Sequence, residues 1–278
     1  MERTQNDSQT PKKVTLNRAV FAARPHDSNA LTCLDTLLHR FNDAGDFAVF
    51  IHRGARMIRR LTVQVTPDNA AAQHNIDLAA LEKQDCACHS ADTVDYTLKA
   101  GGVLGFYVSS GIASYSISVR RASTAKDAPK EGAVIFDSSK GVAAGDFFAA
   151  TLVRPGLYRV REQLSKAEAT IQVNVPPVPT SLSRKPDTGK SAAKKGETKT
   201  ASATPVYRPD RPQLFDFGPK GFGQKELQIF SGQSVVVRCG QIAQLHFELE
   251  KPDKVTTVKS SPFHYQKPAP KTARGKKS

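Results

Sequence analysis

Short alternating runs of apolar and polar residues dominate this chain from Val14 to Val175, and turn-forming Gly, Pro, Asp and Ser residues separate them. Alternation with a period of two is typical of half-buried strands, because successive side chains of a strand point to opposite faces of a sheet. The sequence therefore predicts a mainly β fold. The predicted strands cover residues 47–54, 59–65, 94–100, 103–110, 114–121, 133–137, 147–153, 156–162 and 168–175.

Two segments have the apolar spacing of a helix instead. Residues 77–84 form the shorter one, and residues 28–42 form the longer one. In the longer segment the residues that fit one helical face are Leu31, Leu34, Leu37, Leu38 and Phe41. We therefore expect a helix at each segment, although a short buried run would produce the same spacing.

Two pairs of segments resemble each other within the chain. YTLKAGGVLGFYVSSGIASYSISV, from Tyr96, aligns with LQIFSGQSVVVRCGQIAQLHFELE, from Leu227, and we call this pattern the opening half of a sandwich. FNDAGDFAVFIHRGARMIRRLTVQV, from Phe41, parallels FAATLVRPGLYRVREQLSKAEATIQV, from Phe148, and we call this pattern the closing half. Because each half has strands with one apolar face, an opening and a closing half together predict a two-layered antiparallel sandwich.

The order of the halves predicts two antiparallel β-sandwich units. Residues 94–176 contain both halves and should form one complete sandwich. A free half would expose apolar faces and strand edges, so residues 14–66 and 212–250 should pair as a split sandwich. The alternative is that 212–250 docks on a separate chain, forming an oligomer by strand exchange. Residues 67–93 are a connecting segment.

The formal charge of +14 lies almost entirely outside these sandwiches. It is concentrated in residues 1–13, 177–211 and 251–278, which have few large apolar side chains, so we interpret them as a disordered N-terminus, a basic linker and a basic tail. Such segments serve solubility and spacing, or contact nucleic acid or acidic partners. The candidate contact residues in the tail are Lys267, Lys271, Arg274, Lys276 and Lys277.

The apolar runs of the chain are short. None approaches the ~18 residues of a membrane span, and the start MERTQNDSQTPKK is too polar for a signal peptide. We therefore expect a cytoplasmic protein without a membrane span.

Residues 94–176 carry a KAGG turn before a predicted strand and a D-F-x-x-x-L-x-x-P-G-x-Y pattern before the last hairpin. The latter positions are Asp146, Phe147, Leu152, Pro155, Gly156 and Tyr158. This arrangement resembles the cupredoxin-like β-sandwich family. The resemblance implies antiparallel β-sandwiches, either cupredoxin-like or immunoglobulin-like since such turns recur in both, but no copper centre. A copper cupredoxin needs an early His and a Cys–His cluster at the final hairpin, where this chain has residues 113–116 and REQLSKAEA.

The sharpest local motif is DCACH, which contains Cys86, Cys88 and His89, with His74 twelve residues before the first Cys. Thiolates and imidazoles bind Zn²⁺ or Cu⁺, so copper or zinc is the alternative to having no cofactor. The spacing is neither that of zinc ribbons nor that of haem attachment. A metal site, a redox or disulfide role for Cys86, and an ordinary polar loop all remain open.

A second candidate is the basic cluster around the predicted hairpin at 50–60. Its members are Arg53, Arg56, Arg59 and Arg60. The cluster would bind an anion or an acidic partner, or it would simply protect a solvated hairpin edge by charge.

No sequence signature of an enzyme is present: the chain lacks G-x-S-x-G, a phosphate loop, H-E-x-x-H and G-x-G-x-x-G after a strand. Asp43 and Asp46 flank Gly45 and are interpreted as turn formers rather than as an acid/base pair. We therefore expect a non-enzymatic binding or assembly module that acts on a protein partner, or by self-association, through sandwich surfaces and basic tails. The alternatives are a metal-handling or redox protein and nucleic-acid binding through the tails.

Overall fold

The computed structural model describes residues 24–67, 70–83, 95–122, 131–176 and 211–253, and these form a mainly β protein with two sheets. The strands are β1 (His26–Asp27), β2 (Asp35–Phe41), β3 (Gly45–Arg53), β4 (Arg56–Thr66), β5 (Ala71–Asp77), β6 (Tyr96–Tyr107), β7 (Ser116–Ala122), β8 (Glu131–Asp137), β9 (Phe147–Leu152), β10 (Gly156–Glu162), β11 (Glu168–Asn174), β12 (Gln213–Gly218), β13 (Gly221–Phe222), β14 (Glu226–Phe230), β15 (Gln233–Cys239) and β16 (Leu245–Pro252). One α-helix, α1 (Leu78–Lys83), and one short 3-10 helix, Ser138–Lys140, lie among them in the described residues. The predicted mainly β class is confirmed.

The smaller sheet has five strands in the order β1-β16-β10-β11-β14. The larger sheet has eleven, in the order β13-β12-β15-β9-β2-β6-β4-β3-β7-β8, with β5 paired to β6. Most neighbours are antiparallel, but β4 and β5 run parallel to β6, β12 runs parallel to β15, and β11 runs parallel to β14. Both sheets are therefore mixed, whereas the sequence predicted antiparallel layers.

The larger sheet buries one face along its whole width. The smaller sheet covers one end of that face, where the rings of Phe148 in β9 and Phe247 in β16 lie 5.8 Å apart. At the other end the sheet curls back on itself, because Phe136 in β8 stacks on His39 in β2 at 4.3 Å although β8 and β2 are not neighbours in the sheet. The buried side chains of both parts form one continuous hydrophobic cluster.

Residues 28–42 are not a helix, which corrects the first helix prediction, whereas α1 confirms the second. Residues 35–41 form β2, which hydrogen-bonds to β6 along one edge and to β9 along the other. Leu37 and Phe41 are buried on the same face, Leu38 points to the other face, and Leu34 has a positive φ of 81°. Hydrogen bonding of β2 on both edges outweighs the helix preference suggested by the apolar spacing at 28–42. That spacing arose from a buried strand and the turn before it.

Hydrogen-bonded ladders join the opening and closing halves differently from the prediction. The closing half at 41–66 pairs with the opening half at 96–122 through β3–β7 and β4–β6. The closing half at 147–174 pairs with residues 213–252 through β9–β15, β10–β16 and β11–β14. Within the described ranges, the only ladder between 14–66 and 212–250 is the two-residue pairing of β1 with β16. Because the two opening halves are alike, either combination buries the same kind of apolar face, and the sequence does not distinguish them.

The predicted N-terminus, most of the linker, the DCACH loop and the tail beyond residue 253 lie outside the described residues, while the first two residues of the predicted tail, 251 and 252, end strand β16. In the part of the chain that the structure does describe, no helix has the length and apolar character needed to cross a bilayer.

Candidate functional site

A cleft of ≈240 Å³ opens where the curled end of the larger sheet meets β2. Its walls come from β2, from the turn between β2 and β3, from the end of β7, from β8 and from the segment before β9. The side chains that matter most for its chemistry are His39, Phe41, Phe47, Arg121, Ile135 and Asp146. The cleft therefore combines aromatic and aliphatic walls with a few polar groups, which is typical of a binding site.

His39 and Asp146 form a buried pair on the wall of this cleft. His39 Nδ1 lies 2.6 Å from Asp146 Oδ2, and the two residues are only 6% and 3% exposed. The second carboxylate oxygen, Oδ1, accepts the backbone N–H of Arg40 at 3.0 Å. The His39 ring also packs between Phe136 and Phe41, with ring centroids at 4.3 and 4.9 Å. The imidazole is thus fixed in position, with one nitrogen held by Asp146.

Two arginines supply positive charge at the same cleft. The guanidinium of Arg121 lies 5.7 Å from the centre of the Phe47 ring, and its Nη2 donates to the carbonyl of Ala44 at 2.9 Å. Arg40 is exposed on β2 and also lines the cleft. Neither guanidinium has a carboxylate partner among the described residues. The exposed Asp43 is the one acidic side chain at the rim beside these arginines.

A second buried pair shows why a His–Asp contact alone does not define a site. His26 Nδ1 lies 2.6 Å from Asp35 Oδ1, and Asp35 Oδ2 accepts the backbone and hydroxyl of Thr32, both at 2.8 Å. Burial raises the pKa of Asp35 despite these hydrogen bonds. This pair holds β1 to the start of β2 and does not line the cleft at His39. We interpret it as structural.

The larger second cleft, of ≈400 Å³, lies beside the β12–β13 hairpin. It is more open, and glycines form much of its wall. Its Arg238 is paired with Asp216, with Nε to Oδ1 at 2.8 Å, so both charges are satisfied within the protein. This cleft offers less specific chemistry than the one at His39.

The fold keeps Arg53 and Arg56 of the predicted arginine cluster together, since they face each other in the β3–β4 ladder. Arg53 pairs with Glu82 Oε1 at 2.5 Å, and Tyr115 donates to Oε2 of the same carboxylate at 2.6 Å. Arg60 instead lies 5.9 Å from the ring of Phe50 on the outer face of the sheet.

The other two arginines of the cluster also lie apart from the cleft at His39. Arg56 is at the β3–β4 turn, and the charge of Arg59 acts on Tyr96. Arg53 and Arg56 therefore lie together at the β3–β4 turn, whereas Arg60 lies beside Phe50.

Of the predicted metal ligands, only His74 lies within the described residues. Its Nε2 lies 3.1 Å from the carbonyl of Thr97, and its ring is 5.2 Å from Tyr96. Cys86, Cys88 and His89 lie outside the described residues, as do the five tail residues Lys267, Lys271, Arg274, Lys276 and Lys277. Within the described ranges, no three His, Cys, Asp or Glu side chains are grouped closely enough to hold a metal ion.

The thiol of Cys239 lies near the candidate site but is unreactive near neutral pH. Its backbone N–H donates to the carbonyl of Asp146 at 3.0 Å, and the residue is fully buried. Burial, with smaller contributions from the charges of Asp146 and Glu162, raises the pKa of Cys239 to about 12. Because the thiolate is the nucleophile, this cysteine is not available for covalent chemistry near neutral pH.

Sequence reasoning missed His39 and Arg121 as site residues. His39 lies inside a segment whose spacing predicted a helix, and Arg121 ends an ordinary strand. Asp146 belongs to the motif that resembles cupredoxins, which gives it no role in a site. The available signal was the alternation within β2, which puts His39 on the buried face with Leu37 and Phe41. A polar side chain on a buried face needs a partner, and it marks a candidate site when one of its atoms reaches a cleft.

Comparison with known proteins identified no relative: no protein-family model, no curated protein and no solved structure matches this chain.

Proposed function

We propose that this protein is a non-enzymatic binding module and that the cleft at His39 receives a small ligand carrying a carboxylate. The observation that carries the proposal is the setting of Arg121. Phe47 and the Ala44 carbonyl hold its guanidinium at the cleft, and no described carboxylate neutralises it. A fixed guanidinium loses little conformational freedom on binding and matches the planar geometry of a carboxylate.

The walls support a ligand that also has an apolar part. Phe41 and Phe47 are almost fully buried and line the cleft, whereas Ile135 at the rim is 47% exposed. An apolar group bound between them would remove the exposed Ile135 surface from water.

The test uses two probes of the same shape, 4-methylpentanoate and its amide, titrated into the full chain and followed by ¹⁵N–¹H correlation spectra. We expect the carboxylate to shift signals of residues around the cleft and the amide to bind at least about tenfold more weakly, because charged hydrogen bonds contribute about 1.5–3 kcal/mol. Arg121→Gln should weaken carboxylate binding by a similar factor.

The matched control is Arg56→Gln, which removes an exposed arginine at the β3–β4 turn, at the opposite end of β3 from the cleft. It should leave binding unchanged. Equal affinity for acid and amide, or equal effects of the two variants, would refute a carboxylate site at Arg121.

A further inference from the structure

The free nitrogen of His39 determines what else the ligand must carry. A carboxylate can only accept hydrogen bonds, so His39 Nδ1 carries the proton and donates to Asp146 Oδ2 at 2.6 Å. In the tautomer with its single ring proton on Nδ1, the lone pair lies on Nε2, and no described residue hydrogen-bonds that atom. Because His39 lines the cleft, Nε2 is an acceptor available to a ligand.

A second acceptor lies at the same rim. Asp43 lines the cleft, is exposed, and has neither an ion pair nor a side-chain hydrogen bond within the described ranges. The polar lining therefore has two arginines that suit an anion and two acceptors, His39 Nε2 and Asp43, that suit a hydrogen-bond donor. A ligand with only a carboxylate would leave both acceptors without a partner.

The size of the cleft limits the ligand further. A volume of ≈240 Å³ lies just below the ~300–1,000 Å³ of typical ligand pockets, so the cleft suits a small ligand. Such a molecule has room for a carboxylate, one donor and a short apolar side chain.

We propose that the ligand is a small 2-amino or 2-hydroxy acid with an apolar side chain. Its carboxylate lies on Arg121, its ammonium or hydroxyl donates to His39 Nε2, and its side chain packs against Phe41, Phe47 and Ile135. This inference rests on the proposed carboxylate site and adds the donor that the site selects for. His39 is the specificity-determining residue, and Asp146 is a positioning residue that sets which imidazole nitrogen is the acceptor.

The experiment compares three probes that differ only at carbon 2: 4-methylpentanoate, 2-hydroxy-4-methylpentanoate and leucine. Their dissociation constants for the full chain are measured by the same spectral titration at about pH 8. We expect the hydroxy acid, leucine or both to bind about 3–10-fold more tightly than the parent acid, the effect of one additional hydrogen bond. Which of the two binds best distinguishes a hydroxyl donor from an ammonium donor.

Asp146→Asn tests the role of the imidazole tautomer directly. The asparagine carbonyl still accepts from the Arg40 N–H, while its amide N–H donates to His39 Nδ1 and so moves the imidazole proton to Nε2. His39 then becomes a donor, and the preference for the hydroxy or amino acid should disappear. The matched control is Asp35→Asn at the His26 pair, which should keep the preference because that pair does not line the cleft.

The outcomes distinguish the donor inference at His39 from the proposed carboxylate site at Arg121. If the three probes bind equally and still depend on Arg121, the carboxylate site stands and the donor inference is overturned. If none binds, both are overturned. If Asp146→Asn keeps the preference, His39 is not the acceptor.

Should Asp146→Asn fail to fold, ¹H–¹⁵N spectra of the histidine rings in the wild-type protein replace it. The donor inference then requires the Nδ1–H tautomer at His39 and a shift of its Nε2 signal when the hydroxy or amino acid binds. The Nε2–H tautomer, or no shift at Nε2, would overturn it.

Discussion

Glu162 holds together the turn between β10 and β11, and replacing it with glutamine should destabilise the fold. The residue is 1% exposed. Its Oε1 accepts the backbone N–H groups of Leu164 at 3.1 Å and Gln244 at 2.8 Å. Its Oε2 accepts the backbone N–H of Ser165 at 2.5 Å and the hydroxyl of Ser165 at 2.6 Å. One carboxylate thus connects the turn to the chain entering β16.

The size of the effect follows from these contacts. Glu162→Gln keeps the shape and one oxygen but turns an amide NH₂ toward donors that need an acceptor. Two charged hydrogen bonds are lost at about 1.5 kcal/mol each, so we expect a loss of about 3 kcal/mol in the free energy of unfolding. For a folded part of this size, that corresponds to a fall in Tm of about 6–12 °C.

The effect should also depend on pH with a defined sign. Burial by itself would raise the pKa of Glu162, but the hydrogen bonds from Ser165, Gln244 and Leu164 outweigh burial and lower it. A carboxyl whose pKa is lower in the folded state stabilises the fold above its ordinary pKa of 4.5, and this contribution is lost as the pH falls through the folded value. Because protonated Glu resembles Gln, the wild-type protein and the variant should converge in stability at low pH.

Urea denaturation followed by circular dichroism, from pH 7 down to about pH 3, measures both effects. The control is Glu168→Gln, which breaks an exposed ion pair to Arg161 Nε at 2.9 Å and should cost less than about 1 kcal/mol. A difference below about 0.5 kcal/mol for Glu162→Gln at pH 7, or a difference that does not shrink in acid, would show that the carboxylate does not hold the turn.

Three further predictions concern the backbone, the buried thiol and the pairing of the halves. Gly156→Ala would place a Cβ 2.4 Å from the Lys251 carbonyl at a φ of +141°, and should cost about 2 kcal/mol or more. Gly111→Ala, at a φ of +89° with no atom within 4 Å, should cost about half as much in the same urea assay. Iodoacetamide at about pH 8 should modify Cys239 no faster than the protein unfolds, as read by peptide mass mapping, because its pKa is about 12. Residues 1–176 alone should aggregate and recover on co-expression with 211–253; a monomeric fragment as heat-stable as the full chain would contradict the pairing of β9, β10 and β11 with the later strands.

The strands could be predicted from the sequence because each depends on a local pattern. Alternation located β3, β4 and β7 to β11 within a few residues, and the apolar spacing at 77–84 located α1. The two strands predicted at 94–100 and 103–110, with a KAGG turn between them, are one continuous strand, β6, so that turn prediction is wrong. The pattern failed at β2, where Leu37 and Leu38 are adjacent and both apolar although they point to opposite faces. A strand hydrogen-bonded on both edges can have apolar residues on both faces, so periodicity alone does not separate it from a short helix.

The strand pairing could not be predicted, because it depends on choices between similar surfaces. An opening half offers the same alternating apolar face whether it comes from 96–122 or from 227–250. What distinguishes the two combinations is β2, which pairs with β6 on one side and β9 on the other and so joins the two parts into one sheet. The sequence prediction assigned this segment to a helix, so it did not anticipate a strand that joins the two parts of the sheet.

The candidate site depends on the same junction. His39 belongs to residues 14–66 and Asp146 to residues 94–176, which the sequence assigned to different sandwiches. They meet because β2 and β9 are antiparallel neighbours, with Leu38 opposite Phe147, so that the next position in the register places His39 opposite Asp146. The curl of the sheet then brings Phe136 onto the His39 ring and Arg121 to the rim. The cleft therefore exists only in the observed pairing, so a change that separates β2 from β9 should abolish ligand binding together with the fold of this region.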